Sequence, residues 1–238
     1  ISPDERDGDG TEFYYMRVLP YEGCYVGFLN VYHEFTGDDR IMEGFNYTLD
    51  VQLTFSRDGQ QWTRVGNRHL FMVGSPNTWD EKRIYLDDAV VRDEEIWLYY
   101  RGSNIPHAGI SDLMGTERNG QKLIGDALGM ATLRLDGFAS ICAQEEEGSL
   151  TTNPFHFEAG DQLEINANAS NGAIEVEALT LYGEPIAGLT RADCAPIAAD
   201  RIDQEVVWKG GKKLAGQAQP VRLRFHMKNA RLYSFRIA

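Results

Sequence analysis

The stretch Val51-Gln-Leu-Thr-Phe-Ser-Arg-Asp58-Gly59-Gln-Gln-Trp62 alternates, turns at Asp-Gly and resumes toward an aromatic. Val51, Leu53 and Phe55 fall two residues apart, the period of a strand rather than a helix. Asp-Gly between such runs signals a hairpin, because glycine accepts positive φ and the Asp side chain bonds turn amides. A second stretch follows the same plan: Met130-Ala-Thr-Leu-Arg-Leu-Asp136-Gly137-Phe138. Two such corners in similar surroundings predict a repeated β unit.

Working outward, each corner joins the third and fourth strands of a set. The first set is expected over 13–18, 24–33, 50–55 and 62–65, and the second over 83–92, 95–101, 128–135 and 138–143. Each set spans roughly 60 residues, which suits a four-stranded propeller blade with long loops. The second strands, Tyr25-Val-Gly-Phe-Leu-Asn-Val-Tyr32 and Ile96-Trp-Leu-Tyr-Tyr100, are expected to be buried on both faces. Beyond about residue 148 the texture changes. Alternating runs at 163–169, 173–181, 204–208, 221–227 and 232–237 each offer one apolar and one polar face, as an antiparallel sandwich requires. The expected class is all-β: two propeller-like four-stranded blades over 1–147, then an antiparallel β-sandwich over 148–238.

Composition narrows the function. The chain has 238 residues, 42% hydrophobic and 11% aromatic, enough to fill a core and too apolar for a disordered chain. Its net charge of −13 argues against a nucleic-acid partner, which needs a basic face. No run of about 18 apolar residues is present, so no membrane-spanning helix is expected. Cys24, Cys142 and Cys194 lack metal-ligand spacing and are expected to be reduced. No phosphate loop or nucleophile elbow appears, and neither metal nor cofactor is expected.

Several polar and aromatic residues sit where a ligand can reach them. Glu22 lies in the Gly-flanked turn Leu19-Pro-Tyr-Glu-Gly23, beside Tyr21. Asp87 and Asp88 are adjacent on one strand, so alternation lets at most one face a central channel. Tyr99-Tyr-Arg101-Gly-Ser-Asn104-Ile-Pro-His107 ends a strand and opens a long polar segment. Arg101, Asn104 and His107 there, with Arg83 before Asp87, supply hydrogen bonds to a polar ligand. His33 ends the second strand and is expected at the same channel end. Tyr21 and Trp79 are candidates for stacking on a flat ligand face. Asp58 and Asp136 are read as turn-formers rather than catalytic acids.

Ser56-Arg-Asp-Gly-Gln-Gln-Trp62 resembles the Ser-x-Asp-Gly-x-x-Trp signature of blades in propeller glycosidases. The run from Ala131 through Phe138, followed by a sandwich ending Val221-Arg-Leu-Arg-Phe and Leu232-Tyr-Ser-Phe235, is similar to the C-terminal part of family 32-like glycoside hydrolases. The resemblance implies a carbohydrate partner, a secreted or periplasmic setting, and Glu22 as general acid. Arg83, Asp87, Arg101, Asn104 and His107 would then bind substrate. It covers only the last two blades and the sandwich. The missing blades are expected from an upstream segment or another chain, with the second catalytic carboxyl among them. The alternative is a non-catalytic carbohydrate-binding or assembly protein whose blades complete a partner's propeller.

Overall fold

The first hairpin shows how local sequence sets the architecture. Strands β1 (Thr11–Tyr21) and β2 (Cys24–His33) are joined by Glu22-Gly23. Both turn residues have positive φ, 46° and 72°, as in a type I′ turn, whose twist matches that of the strands it connects. The computed structural model describes residues 1–34, 48–107, 114–118, 120–156, 162–214 and 219–237. Its architecture is all-β, in two compact units, Ile1–Leu133 and Arg134–Ala238.

In the first unit, β3 (Thr48–Ser56) pairs antiparallel with β2 from Thr48 to Ser56. The Asp58-Gly59 corner returns the chain to β3 as β4 (Thr63–Arg64), and β5 (Leu70–Met72) joins β3 further along. Asp58 closes this corner by accepting the Gln60 and Gln61 amides, each at 2.8 Å, and the Ser56 hydroxyl at 3.0 Å. The Gln61 and Gln60 amides hold its carboxyl below the usual carboxylate range. The β2 and β3 strands are buried on both faces along most of their length.

A second meander follows: β6 (Arg83–Arg92), β7 (Glu95–Ser103), the short hairpin β8 (Glu117–Arg118) and β9 (Gln121–Lys122), then β10 (Ala127–Arg134) beside β7. One parallel bridge, Leu49 to Arg83, joins the two meanders into one sheet. The fully buried Asn30 side chain ties them again by accepting the Leu86 amide at 2.9 Å.

The second meander departs from expectation in two ways. It contributes three strands to the sheet, β6, β7 and β10, because the chain after Asp136-Gly137 does not return to β10. Instead β11 (Ile141–Ala143) pairs with Ala230–Leu232 of the second unit. Asp136, at φ 58°, turns toward that unit, accepting from Asn166 at 3.4 Å and Ser234 at 2.5 Å. The two compact units divide between Leu133 and Arg134. The middle strand β7 is also not buried on both faces. Ile96 and Leu98 are buried, while Tyr99 stays exposed, as do Leu128 and Met130 on neighbouring β10.

The second unit packs two antiparallel sheets. One is ordered β11, β17 (Ala230–Ile237), β13 (Leu163–Asn168), β15 (Asp200–Glu205); the other β12 (Gly148–Thr151), β16 (Arg222–Lys228), β14 (Ala173–Leu179). Alternation does the sorting: Leu223, Phe225 and Met227 point into the core, while Arg222, Arg224 and His226 point away. Leu163, Ile165 and Ala167 come in from the facing sheet. The strand expected at 204–208 lies earlier, at Asp200–Glu205. Val206 and Trp208 drop into the core instead, where the Trp208 indole donates to the Val176 carbonyl at 3.0 Å. No helix among the described residues is long and apolar enough to cross a membrane.

Candidate functional site

The leading strands of both meanders carry a β-bulge. Pairing of β1 with β2 skips Tyr14, between Phe13↔Val31 and Tyr15↔Asn30. Pairing of β6 with β7 skips Asp87, between Leu86↔Tyr100 and Asp88↔Tyr99. A bulge breaks strict alternation, so neighbours such as Tyr14 and Tyr15 can serve one face. Here Tyr15 meets Tyr85 and Asp87 of the second meander, while Tyr14 packs beside Tyr32 and His107. Tyr14 stacks on Tyr32 (5.2 Å between ring centroids), and the Tyr15 ring lies parallel to Tyr85 at 6.4 Å.

Asp87 sits at the centre of this cluster. Its Oδ1 accepts the Tyr15 hydroxyl at 3.0 Å, and Arg101 grips both carboxylate oxygens, at 2.7 and 3.2 Å. The Arg101 guanidinium also lies 4.9 Å over the Tyr85 ring. Partial burial pushes the Asp87 carboxyl up, but the Arg101 and Tyr15 hydrogen bonds outweigh it and hold the group below its ordinary value. Burial, then the bond to Asp87, drives the Tyr15 phenol up to about 12. The pair is reachable: the Asp87 and Arg101 side chains keep 29% and 38% of their surface in solvent.

His107 closes the aromatic side. Its ring meets Tyr14 and Tyr32 edge-on at 5.2 and 5.4 Å, and its Nδ1 lies 2.9 Å from the Tyr85 hydroxyl. Burial, with Arg83 nearby, keeps His107 below the ordinary histidine value and so neutral at pH 7. Arg83 pairs with Asp126 at 3.1 Å, and Asp126 also reaches Arg101 at 3.9 Å. A groove of about 480 Å³ opens beside Asp87 and runs along β1 past Met16, Arg17 and Leu19.

The structure thus gathers Asp87, Arg101, Arg83 and His107, and adds Tyr14, Tyr15, Tyr32, Tyr85 and Asp126. It sets the other expected residues apart. Glu22, exposed at the hairpin tip, lies seven residues from Tyr15, roughly 23 Å along a strand. Tyr21 shares that tip. His33 follows Tyr32 and faces the other side of β2, where its Nε2 meets Asp50 at 2.6 Å. Trp79 stacks on Tyr100 at 5.8 Å, and Tyr100 donates to Asp80 at 2.9 Å. Asn104 is buried and pins a neighbouring segment through the Lys122 carbonyl at 2.9 Å and the Ile124 amide at 2.7 Å. Asp88, in contrast, is not set apart: it is exposed, accepts the Ala89 amide, and lines the same groove as Asp87, because the bulge at Asp87 breaks the alternation expected of the pair. Among the described residues, no group of three His, Cys, Asp or Glu could hold a metal ion.

No protein-family model matches the chain, and no curated protein matches its sequence. The site's chemistry therefore rests on its own geometry.

Proposed function

We propose that the cluster around Asp87 binds a poly- or oligosaccharide, as the sugar-holding part of a glycoside hydrolase. The observation that carries this is the Arg101–Asp87–Tyr15 set held among aromatic rings beside a groove. A carboxylate kept ionised accepts hydroxyl protons, and the guanidinium donates to ring and hydroxyl oxygens. Flat aromatic faces suit the C–H face of a pyranose or furanose. The proposed role is binding and charge stabilisation rather than proton delivery. Asp87 is held ionised, whereas a general acid must be held protonated. Glu22 lies three residues beyond Leu19, about 10 Å past the groove's described end. A complete pair of working carboxyls would draw on groups outside the cluster.

The test is titration with a panel of neutral oligosaccharides, followed by changes in amide NMR signals. Asp87→Asn and Arg101→Gln should each weaken binding at least about tenfold, the scale of a lost charge-assisted hydrogen bond. Absence of saturable binding in the wild type, or indifference to both substitutions, would sink the proposal. The alternative, a blade-donating assembly module, is favoured by one observation: Tyr99, Leu128 and Met130 stay exposed beside the outer strand β10, as a further sheet would require. Turnover of a glycoside in an intact assembly separates the two readings.

A further inference from the structure

The second unit holds a polar pocket of about 410 Å³ that the carbohydrate cluster does not involve. Cys142, Gln144, Asn168, Asn171, Asn229 and Arg231 are among the residues that line it. Three pieces of backbone converge to form it: the turn between β13 and β14, the turn between β16 and β17, and the chain leaving β11. They are fastened together. The Asn229 amide donates to the Gln144 carbonyl at 2.8 Å, and Gly172 fits so closely that a Cβ there would lie 1.9 Å from the Lys228 carbonyl. The rim is therefore set by packing rather than shaped by a ligand.

A single row crosses the sheet at this point: Cys142 on β11, Arg231 on β17, Asn168 on β13 and Asp200 on β15. Asp200 is the carboxylate of the row, and it is already occupied. Arg134 donates to it at 2.6 Å and Asn168 at 2.8 Å. Arg231 is left between a thiol and an amide, with no ion pair to any described carboxylate. Its strand neighbour Arg236, by contrast, is paired with Glu164.

We infer that this pocket binds an oxyanion, a carboxylate or sulfate group, through Arg231 with the side-chain amides of Asn171, Asn229 and Gln144 completing the donor set. A guanidinium offers two parallel N–H bonds that match both groups. Each amide supplies further donors, together with acceptors for hydroxyls beside the anion. The inference is independent of the cluster around Asp87.

The test uses the full chain, titrated by calorimetry with sodium sulfate, sodium glucuronate and neutral methyl glucoside at constant ionic strength. Both anions are expected to bind in the millimolar range, the tighter one naming the source of the oxyanion, and methyl glucoside much more weakly. Arg231→Gln should weaken anion binding at least about tenfold, and Arg231→Lys less, since the point charge stays and the fork is lost. Arg236→Gln should leave it unchanged. Alkylation of the exposed Cys142 provides a second readout, slowing several-fold when the pocket is filled. No saturable anion binding, equal binding by Arg231→Gln, or equal preference for the neutral sugar would each overturn the inference.

Discussion

At the scale of single residues, the cluster's character comes from charges held away from their usual values. Asp87 is depressed below its ordinary 3.8, so the unfolded chain binds more protons than the folded one just above the folded value. Stability therefore rises with pH through that window. The Arg101–Asp87 contribution is complete above 3.8 and is lost as pH falls through the folded value. His107 is depressed below its ordinary 6.5. The unfolded chain takes up that proton first, and stability declines as pH falls below 6.5. Denaturant midpoints measured against pH should show both effects. Asp87→Asn should flatten the acid limb, and His107→Gln should flatten the region just below the histidine value. Curves that coincide with the wild type would remove these groups from the balance. The sequence made Asp87, Arg83, Arg101 and His107 visible, because charged groups at strand starts and ends have few apolar explanations. It hid Tyr14, Tyr15, Tyr32 and Tyr85. An aromatic in an apolar strand reads as core, and no local signal says that a bulge will turn two neighbours the same way.

At the scale of elements, identical letters served different ends. Asp58-Gly59 closes a hairpin within one sheet because β3 offers a partner for the returning chain. Asp136-Gly137 has the same turn chemistry, yet the strand beyond it pairs with β17. A turn fixes direction; the partner is chosen by which edge buries the following side chains. The β1–β2 hairpin shows the reverse case. Its second strand was legible as Cys24–His33, while its two-residue turn puts Glu22 at φ 46°. A glutamate there carries left-handed strain that asparagine tolerates better. Glu22→Asn is expected to leave oligosaccharide binding unchanged and to stabilise the protein by up to about 1 kcal/mol, read from thermal melts and titrations in parallel. A loss of affinity would bring the hairpin tip into the binding site.

At the scale of the molecule, each unit has its own hydrogen-bonded sheets, and the second has its own core, eighteen buried residues from Leu163 to Leu232 among the described ones. The all-β class was readable from period-two alternation throughout. The pairing of β11 with the last strand was not, because a three-residue strand carries no signal of which edge it joins. A fragment of residues 134–238 is accordingly expected to fold alone and to melt cooperatively. A fragment that stays unfolded would mean that its core depends on the first unit. The sequence also places Trp62, Trp79 and Trp97 in the first unit and only Trp208 in the second. Trp208 is 1% exposed, with its indole N–H on a carbonyl. A dry indole emits at shorter wavelength than a wetted one, so the protein contains a built-in optical gauge. Replacing the other three tryptophans with phenylalanine would leave a fluorescence signal whose red shift reports the opening of the second core and of nothing else.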